Sequence, residues 1–219
     1  MKKFIFLILI VLVFHIGCAT LKPERNVVNN VFISTYPKIK IKIIPELTFI
    51  ENISKSGYSE GIENKRIAGS ANSYTFIEIE KDTSEVKRAI IIQIQTTSGY
   101  YIGDFYRGAE KTALDYGKLE IGGKQFRYYI ISATPTVDGY LTKSIYEKGY
   151  TMSCGLLKVC GRLAGGNNCL AQIIYYENIE NSGLSCHSWK YKQNLTENHI
   201  KYLEEYNQRS KSSFEILQH

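Results

Sequence analysis

The chain has 219 residues, 17 of them tyrosine and five of them cysteine, and a formal net charge of +6 at pH 7. This length suits one sizeable domain or two small ones, and we expect one domain. Loss of Lys2 and Lys3 with the leader described below lowers the charge from +6 to +4. Because this excess is small and no basic stretch is interleaved with aromatic residues, nucleic acid is not an expected partner.

The first 17 residues have the composition of a secretory signal peptide. Lys2 and Lys3 precede an uninterrupted apolar run at residues 4–14, and the small Gly17 stands directly before Cys18. A transmembrane helix needs about 20 apolar residues, so this run is too short for a permanent anchor. We therefore predict export of the chain and removal of residues 1–17.

The residues around Cys18 predict how the exported chain is held. Ile16, Gly17, Cys18 and Ala19 resemble the lipobox of bacterial lipoprotein precursors, with His15 where that pattern usually has Leu. The resemblance implies lipidation of Cys18, and the two or three acyl chains of a lipoprotein bind membranes far more tightly than one. Because Ala19 rather than Asp follows Cys18, the resemblance also implies that the protein is sorted to the outer membrane and faces the periplasm. Ordinary signal cleavage and an uncut anchor are the alternatives.

The segment after the leader predicts a tether and then two strands. Residues 18–30 are polar, contain Pro23 and lack periodicity, as is typical of a linker, so the folded domain is expected at residues 31–219. Residues 31–34 and 39–44 predict strands, the second with isoleucines alternating with lysines at positions 38, 40 and 42. The lysines indicate either a sheet edge guarded against further pairing or contact with anionic lipid headgroups.

The middle of the chain predicts more strands and one long loop. Strands are expected at residues 47–53, 74–80 and 88–96, the last two as antiparallel neighbours. Residues 54–73 are polar and contain three glycines, which predicts a loop. Two helical turns are expected at residues 109–116.

A hairpin and a buried strand follow. Gly122 and Gly123 lie between two strand-like runs, which predicts a two-residue turn that places Leu119 opposite Phe126. After a glycine-rich region, residues 169–176 predict a buried strand.

The last segment, residues 195–217, predicts an amphipathic helix with Thr196 as its N-cap. Apolar and aromatic side chains recur at helical spacing, namely Leu195, His199, Tyr202, Leu203, Tyr206, Phe214 and Leu217. We expect this face to dock on the sheet. The predicted fold class is α+β, a mainly antiparallel β-sheet with a C-terminal amphipathic helix.

Four cysteines remain after Cys18, namely Cys154, Cys160, Cys169 and Cys186. An even set in an exported chain predicts disulfides, and we expect no free thiol among them, although three connectivities are open. Zinc is the alternative, but the spacings lack the paired clip of two to four intervening residues that is typical of zinc sites. No metal and no cofactor is expected.

One motif offers a catalytic hypothesis. Gly57, Ser59 and Gly61 match the G-x-S-x-G pattern of serine hydrolases, with His187 and His199 as candidate bases. That mechanism needs the serine on a sharp turn between a strand and a helix, whereas the surrounding sequence is typical of a flexible loop.

A non-catalytic structural or binding role in the envelope is therefore the primary hypothesis, and an envelope serine hydrolase that uses Ser59 is the alternative. The aromatic residues of two glycine-flanked segments, 98–106 and 140–150, are candidates for contact with an envelope protein or a glycan. In the first segment these residues are Tyr100, Tyr101, Phe105 and Tyr106.

Overall fold

The computed structural model describes residues 23–60, 66–98, 108–139, 142–166 and 168–218. These residues form three α-helices, which are α1 (Ala109–Thr112), α2 (Lys143–Glu147) and α3 (Glu197–Ser212). They also form eleven strands, which are β1 (Arg25–Val28), β2 (Val31–Thr35), β3 (Lys38–Ile43), β4 (Thr48–Glu60), β5 (Arg66–Ile79), β6 (Val86–Thr97), β7 (Asp115–Ile121), β8 (Lys124–Ala133), β9 (Gly155–Ala164), β10 (Cys169–Asn178) and β11 (Phe214–Ile216). The predicted α+β class is confirmed.

The strands form two antiparallel sheets. The small sheet has the order β1-β2-β3-β11, and the large sheet has the order β4-β5-β6-β10-β9-β8-β7. Every pairing between these strands is antiparallel. Both sheets contribute to one core. In this core, Phe32 of the small sheet packs against Tyr74 of the large sheet, and their ring centroids are 4.7 Å apart. Burial of apolar area between these two faces stabilises the fold.

The alternation predicted for β3 is confirmed. Ile39, Ile41 and Ile43 are buried in the core between the sheets, and the lysines alternate on the opposite face. The edge-guard interpretation of those lysines is wrong, because β3 pairs with β2 on one side and with β11 on the other. The lysines therefore lie on the outer face of an internal strand.

The tether prediction extends too far into the chain. Residues 25–28 form β1 and pair with β2, from Arg25 opposite Ser34 to Val28 opposite Val31. Asn29 and Asn30 form the connecting turn with φ of 50° and 58°. Asparagine tolerates this left-handed backbone better than most residues, so two asparagines between valines were the hairpin signal that the linker interpretation missed.

The loop predicted at residues 54–73 is also wrong where the structure describes it, because residues 54–60 belong to β4 and residues 66–73 to β5, and the two strands pair with each other. Serine, glycine and asparagine are poor strand formers. Here, however, β5 pairs along most of its length with the isoleucine-rich β6, and Ser54 Oγ donates a hydrogen bond to Asn72 Oδ1 at 2.7 Å. Pairing with the isoleucine-rich strand β6 therefore outweighs the weak strand preference of the serine, glycine and asparagine residues.

The predicted β5–β6 pairing, the β7–β8 hairpin and the buried strand β10 are confirmed. In the hairpin, Leu119 lies opposite Phe126, as predicted. The helix predicted at residues 109–116 is shorter than expected. It ends at Thr112, because Asp115 already pairs with Ile130 as the first residue of β7.

The hairpin turn gives a test of this arrangement. Gly122 and Gly123 have φ of 57° and 72°, so alanine at either position should cost roughly 1–2 kcal/mol for the left-handed backbone. At Gly122 a Cβ would also lie 2.7 Å from the Ile216 carbonyl oxygen, whereas at Gly123 it meets open space. Gly122→Ala should therefore lower the free energy of unfolding by a further roughly 1–3 kcal/mol.

Urea denaturation followed by the fluorescence of the buried Trp189 measures both variants, with Gly123→Ala as the matched control. Equal losses in the two variants would contradict the close contact between the β7–β8 turn and β11.

Candidate functional site

Helix α3 determines the position of the site. Thr196 is its N-cap, as predicted, and the helix ends at Ser212 rather than at residue 217. The chain then turns at Ser213 into β11, where Phe214 and Ile216 are buried and pair with β3. The two last apolar positions of the predicted stripe, Phe214 and Leu217, therefore lie beyond the helix.

The predicted docking of α3 on the large sheet is confirmed. The Tyr206 side chain is fully buried, its ring centroid lies 5.3 Å from that of Tyr175, and its hydroxyl lies 3.1 Å and 3.3 Å from the carbonyl oxygens of Tyr175 and Leu156. Its single proton can satisfy either acceptor. Burial of such a side chain contributes about 1.5–3 kcal/mol, and the hydroxyl fixes the helix position over β9 and β10.

A buried carboxylate holds the same face of the helix. Glu177 of β10 is 6% exposed and accepts hydrogen bonds from Tyr175 at 2.6 Å, Tyr202 at 3.0 Å and Arg209 at 2.7 Å. Burial, followed by the charge of Glu177, raises the pKa of the Tyr175 and Tyr202 hydroxyls. Both therefore stay protonated and donate. Arg209 of α3 reaches inward to this carboxylate and also lies 3.6 Å from Glu205.

A cavity of about 890 Å³ lies between this helix, β11 and the β7 side of the large sheet. Typical small-molecule sites measure roughly 300–1,000 Å³. Its apolar wall is formed by side chains of β7, β10, β11 and the residue after β11, namely Leu119, Ile121, Ile173, Phe214, Ile216 and Leu217. Protein interiors are otherwise close-packed, so a space of this size in one chain marks a candidate binding site.

One charged side chain is buried in the cavity wall. Lys158 of β9 is 3% exposed, and its Nζ donates to Asn207 Oδ1 at 2.7 Å and to Ser210 Oγ at 3.1 Å. The ammonium also lies 5.0 Å from the centroid of the Tyr128 ring. It forms no ion pair within the part of the chain that the structure describes.

Burial is the main cause that lowers the pKa of Lys158, since it penalises the charged form. Lys211 lowers this pKa further, whereas Cys160 and Asp115 raise it. Burial raises the pKa of the neighbouring Cys160 thiol to about 11, although Lys158 opposes that shift. The thiol is therefore protonated at neutral pH and is a poor nucleophile.

The remaining charges lie at the rim. Lys40 is half-buried there, and Lys211, Glu120 and Glu215 are exposed. Exposed charges are screened by water and salt, so the field inside the cavity is dominated by Lys158. The interior combines an apolar wall with a single buried amine.

Lys158 was not predicted as a site residue, because β9 lies in a glycine-rich region whose sequence did not predict a strand. A signal was present, since this lysine is flanked by Leu156, Leu157, Val159 and Cys160. A lone lysine in an apolar run is rarely left buried without a partner.

His199 is committed to a structural role. The Thr196 backbone N–H donates to its Nδ1 at 3.2 Å, so Nδ1 is an acceptor and we assign the proton to Nε2. Nε2 then donates to Ser188 Oγ at 2.7 Å, and Ser188 donates its own proton to the Ser185 carbonyl at 2.6 Å. The distance between His199 and Ser188 resembles that in a catalytic serine–histidine dyad. Here, however, the histidine donates to the serine, whereas in a catalytic dyad the serine donates to the histidine. His187 is exposed.

Ser59 lies in β4, opposite Ile67 of β5. The motif around Ser59 was interpreted either as a flexible loop or as a turn from a strand to a helix, and the structure shows neither. Ser59 lies in a strand, and the next described element is an antiparallel strand. Both ring nitrogens of His199 are already engaged. Ser59 therefore lies in a strand pair and not on the strand-to-helix turn that the hydrolase hypothesis requires.

The cysteines are paired only in part. Cys154 and Cys186 form a disulfide with a Cα–Cα distance of 6.0 Å, but Cys160 and Cys169 are free and buried, which contradicts the expectation of no free thiol. Cys160 lies opposite Ile173 on the neighbouring strand. Cys169 is four residues from Ile173, about 13 Å at 3.3 Å per residue, whereas a disulfide needs Cα atoms within about 7 Å.

Other predicted residues lie outside the described ranges. They are Cys18 and the aromatic residues Tyr100, Tyr101, Phe105 and Tyr106. In the second aromatic segment, Tyr146 lies on α2 and its hydroxyl donates to the carbonyl oxygens of Met152 at 3.1 Å or Pro135 at 3.3 Å. That tyrosine is part of the packing.

No protein-family model, curated protein or solved structure matches this chain. Across residues 23–218, apart from the gaps between the described ranges, no helix is long and apolar enough to cross a membrane. The same residues contain no group of three or more His, Cys, Asp or Glu side chains that could hold a metal ion. The cavity with Lys158 is therefore the candidate functional site.

The buried charge predicts a stability that depends on pH. Because the folded pKa of Lys158 lies below its ordinary 10.5, the cost of burying the ammonium is full below the folded pKa and disappears as the pH rises to about 10.5. Lys158→Met should therefore raise the free energy of unfolding at pH 7, by roughly 1–4 kcal/mol, as when other buried ionic groups are replaced by apolar ones. The gain should shrink towards pH 10.5.

Urea denaturation of wild type and variant at several pH values measures this difference. Lys201→Met, at an exposed position of α3, is the control and should change stability by less than about 0.5 kcal/mol. A Lys158→Met chain that is less stable than wild type by the same amount at every pH would contradict the predicted cost.

Proposed function

We propose that this chain is a lipid-anchored cell-envelope protein with a non-catalytic binding role, and that its ligand occupies the cavity beneath α3. The observation that carries the proposal is the cavity of about 890 Å³ whose apolar wall contains the buried amine of Lys158. Clefts with mostly apolar walls and a few polar groups are the usual form of small-molecule sites.

The chemistry of the wall supports binding rather than catalysis. Among the described residues that line the cavity there is no histidine, and the carboxylates Glu120 and Glu215 are exposed at the rim. The Cys160 thiol, with a pKa of about 11, is held in its unreactive form. A general base and an activated nucleophile within reach of each other are what catalysis would need here.

The leader supports an envelope location. Residues 1–17 have the composition of a signal peptide, and Cys18 stands at the cysteine of a lipobox-like motif. A lipid on Cys18 would hold the cavity close to the membrane surface, facing the periplasm if the chain is sorted to the outer membrane. Tyr100, Tyr101, Phe105 and Tyr106 remain candidates for a second contact, with an envelope protein or a glycan.

The anchor is tested by metabolic labelling with fatty acid. The wild-type chain should carry the label on Cys18 and fractionate with the outer membrane, and Cys18→Ser should abolish the labelling. Because lipidation supplies most of the membrane affinity, the variant should also leave the membrane fraction. A soluble, unacylated wild-type chain would contradict the anchor, and recovery only in the inner membrane would contradict the sorting.

The binding role is tested by filling the cavity. Leu119→Trp adds a large ring at the half-buried wall position of β7, whereas Lys118→Trp places the same ring at the exposed neighbouring position. We expect native mass spectrometry of the wild-type and Lys118→Trp chains, taken from the envelope, to show a non-covalent small molecule at close to one per chain. The Leu119→Trp chain should have lost it.

The fold of both variants is checked by circular dichroism. A wild-type chain without a bound molecule, or a folded Leu119→Trp chain that retains it, would contradict ligand binding in this cavity.

A further inference from the structure

The interior charge of the cavity indicates the chemical class of the ligand, and this step rests on the proposed binding role. An ammonium group has three N–H donors. Asn207 and Ser210 accept two hydrogen bonds from Lys158, and both acceptors are neutral oxygens. One donor remains after these two bonds, and it has two available partners: the face of the Tyr128 ring, whose centroid lies 5.0 Å from Nζ, and an acceptor in the cavity that Lys158 lines.

The missing component is a negative charge. Buried charges in proteins are normally paired, because an isolated one is costly. Lys158 is 3% exposed and has no carboxylate within ion-pair distance among the residues that the structure describes. Asp115 acts on Lys158 from beyond that distance, and at the rim the cations Lys40 and Lys211 are opposed by the carboxylates Glu120 and Glu215. An anionic group placed at Lys158 Nζ would offset the cost of burial.

The rest of the wall requires an apolar ligand body. The aliphatic and aromatic side chains of Leu119, Ile121, Ile173, Phe214, Ile216 and Leu217 surround the space next to Lys158. Hydrocarbon transferred from water to such a wall gains about 0.8 kcal/mol per CH₂ group. The site therefore combines one buried positive charge with apolar side chains that can pack against hydrocarbon.

We propose that the cavity binds a single-chain fatty acid, with its carboxylate on Lys158 Nζ and its hydrocarbon chain along the apolar wall. One buried cation matches a monoanion, whereas a phosphate monoester head would bring a second charge and need a further buried donor. The acyl chains of the protein's own anchor would be bound as esters or amides. They would lack the free carboxylate that Lys158 selects.

The test uses the full chain in lipid nanodiscs with two probes of equal chain length, dodecanoate and uncharged dodecanol. Binding is measured after subtraction of the partition into empty nanodiscs. Wild type should prefer dodecanoate. Lys158→Met keeps an unbranched side chain of similar size, and it should weaken dodecanoate binding by roughly 10- to 100-fold, as expected for a charge-assisted hydrogen bond, with dodecanol changed by less than about threefold.

The exposed Lys201 of α3, which is not among the residues that line the cavity, supplies the matched control. Lys201→Met removes the same charge from a solvated position, so it should change the affinity for either probe by less than about threefold. Equal weakening of dodecanoate in the two variants would show general attraction of anions and would overturn the role of Lys158.

Three results separate the possible failures. If wild type binds both probes equally, or if Lys158→Met weakens both alike, the ligand class is wrong while the binding role of the cavity stands. If neither probe binds to a chain that carries another small molecule in native mass spectrometry, the class is also wrong.

If Lys158→Met does not fold, the wild-type chain still decides the question. Magnetic resonance with carbon-13 at the dodecanoate carboxyl and nitrogen-15 in lysine should show direct contact with Lys158 Nζ. A saturated protein without that contact would overturn the inference.

Discussion

The seating of α3 on β9 and β10 is the constraint on which the rest of the structure depends. Tyr206 fixes the helix against the backbone carbonyls of Leu156 and Tyr175, and Arg209 reaches the buried Glu177. Because a buried hydrogen-bonded pair of charges is costly to break once formed, these contacts hold the C-terminal half of the helix in one position. That half contains Asn207 and Ser210, the two partners of Lys158.

The same helix also connects the two sheets. The chain leaves α3 at Ser213 and forms β11, which pairs with β3 and completes the small sheet. The turn at Gly122 approaches Ile216 of β11 from the large sheet. The cavity is therefore the space that remains between parts of the chain that are each fixed by other contacts, and it does not need a flexible lid to exist.

A buried ammonium and a cavity with apolar walls both reduce stability. A core built for stability alone would replace Lys158 with a hydrocarbon side chain and close the cavity. Proteins depart from such local rules mainly at functional sites, where binding depends on groups that are costly in the free state. In this protein the buried ammonium of Lys158 and the apolar cavity lie at the same place. By contrast, His199, one of the predicted catalytic residues, has an ordinary structural role, since it holds the start of α3 together with Thr196 and Ser188.

Local patterns in the sequence were enough to determine part of this protein. The alternation in β3, the paired glycines between β7 and β8 and the N-cap at Thr196 each depend on residues close together in the chain, so they were predictable. Tertiary structure decided what depends on distant partners. The polar segment of β5 forms a strand because it pairs with β6. The register between β9 and β10 holds Cys160 and Cys169 too far apart for a disulfide. The residues after α3 form β11 because they pair with β3. Lys158 became a site residue only because α3 covers it, as burial is a property of the whole fold.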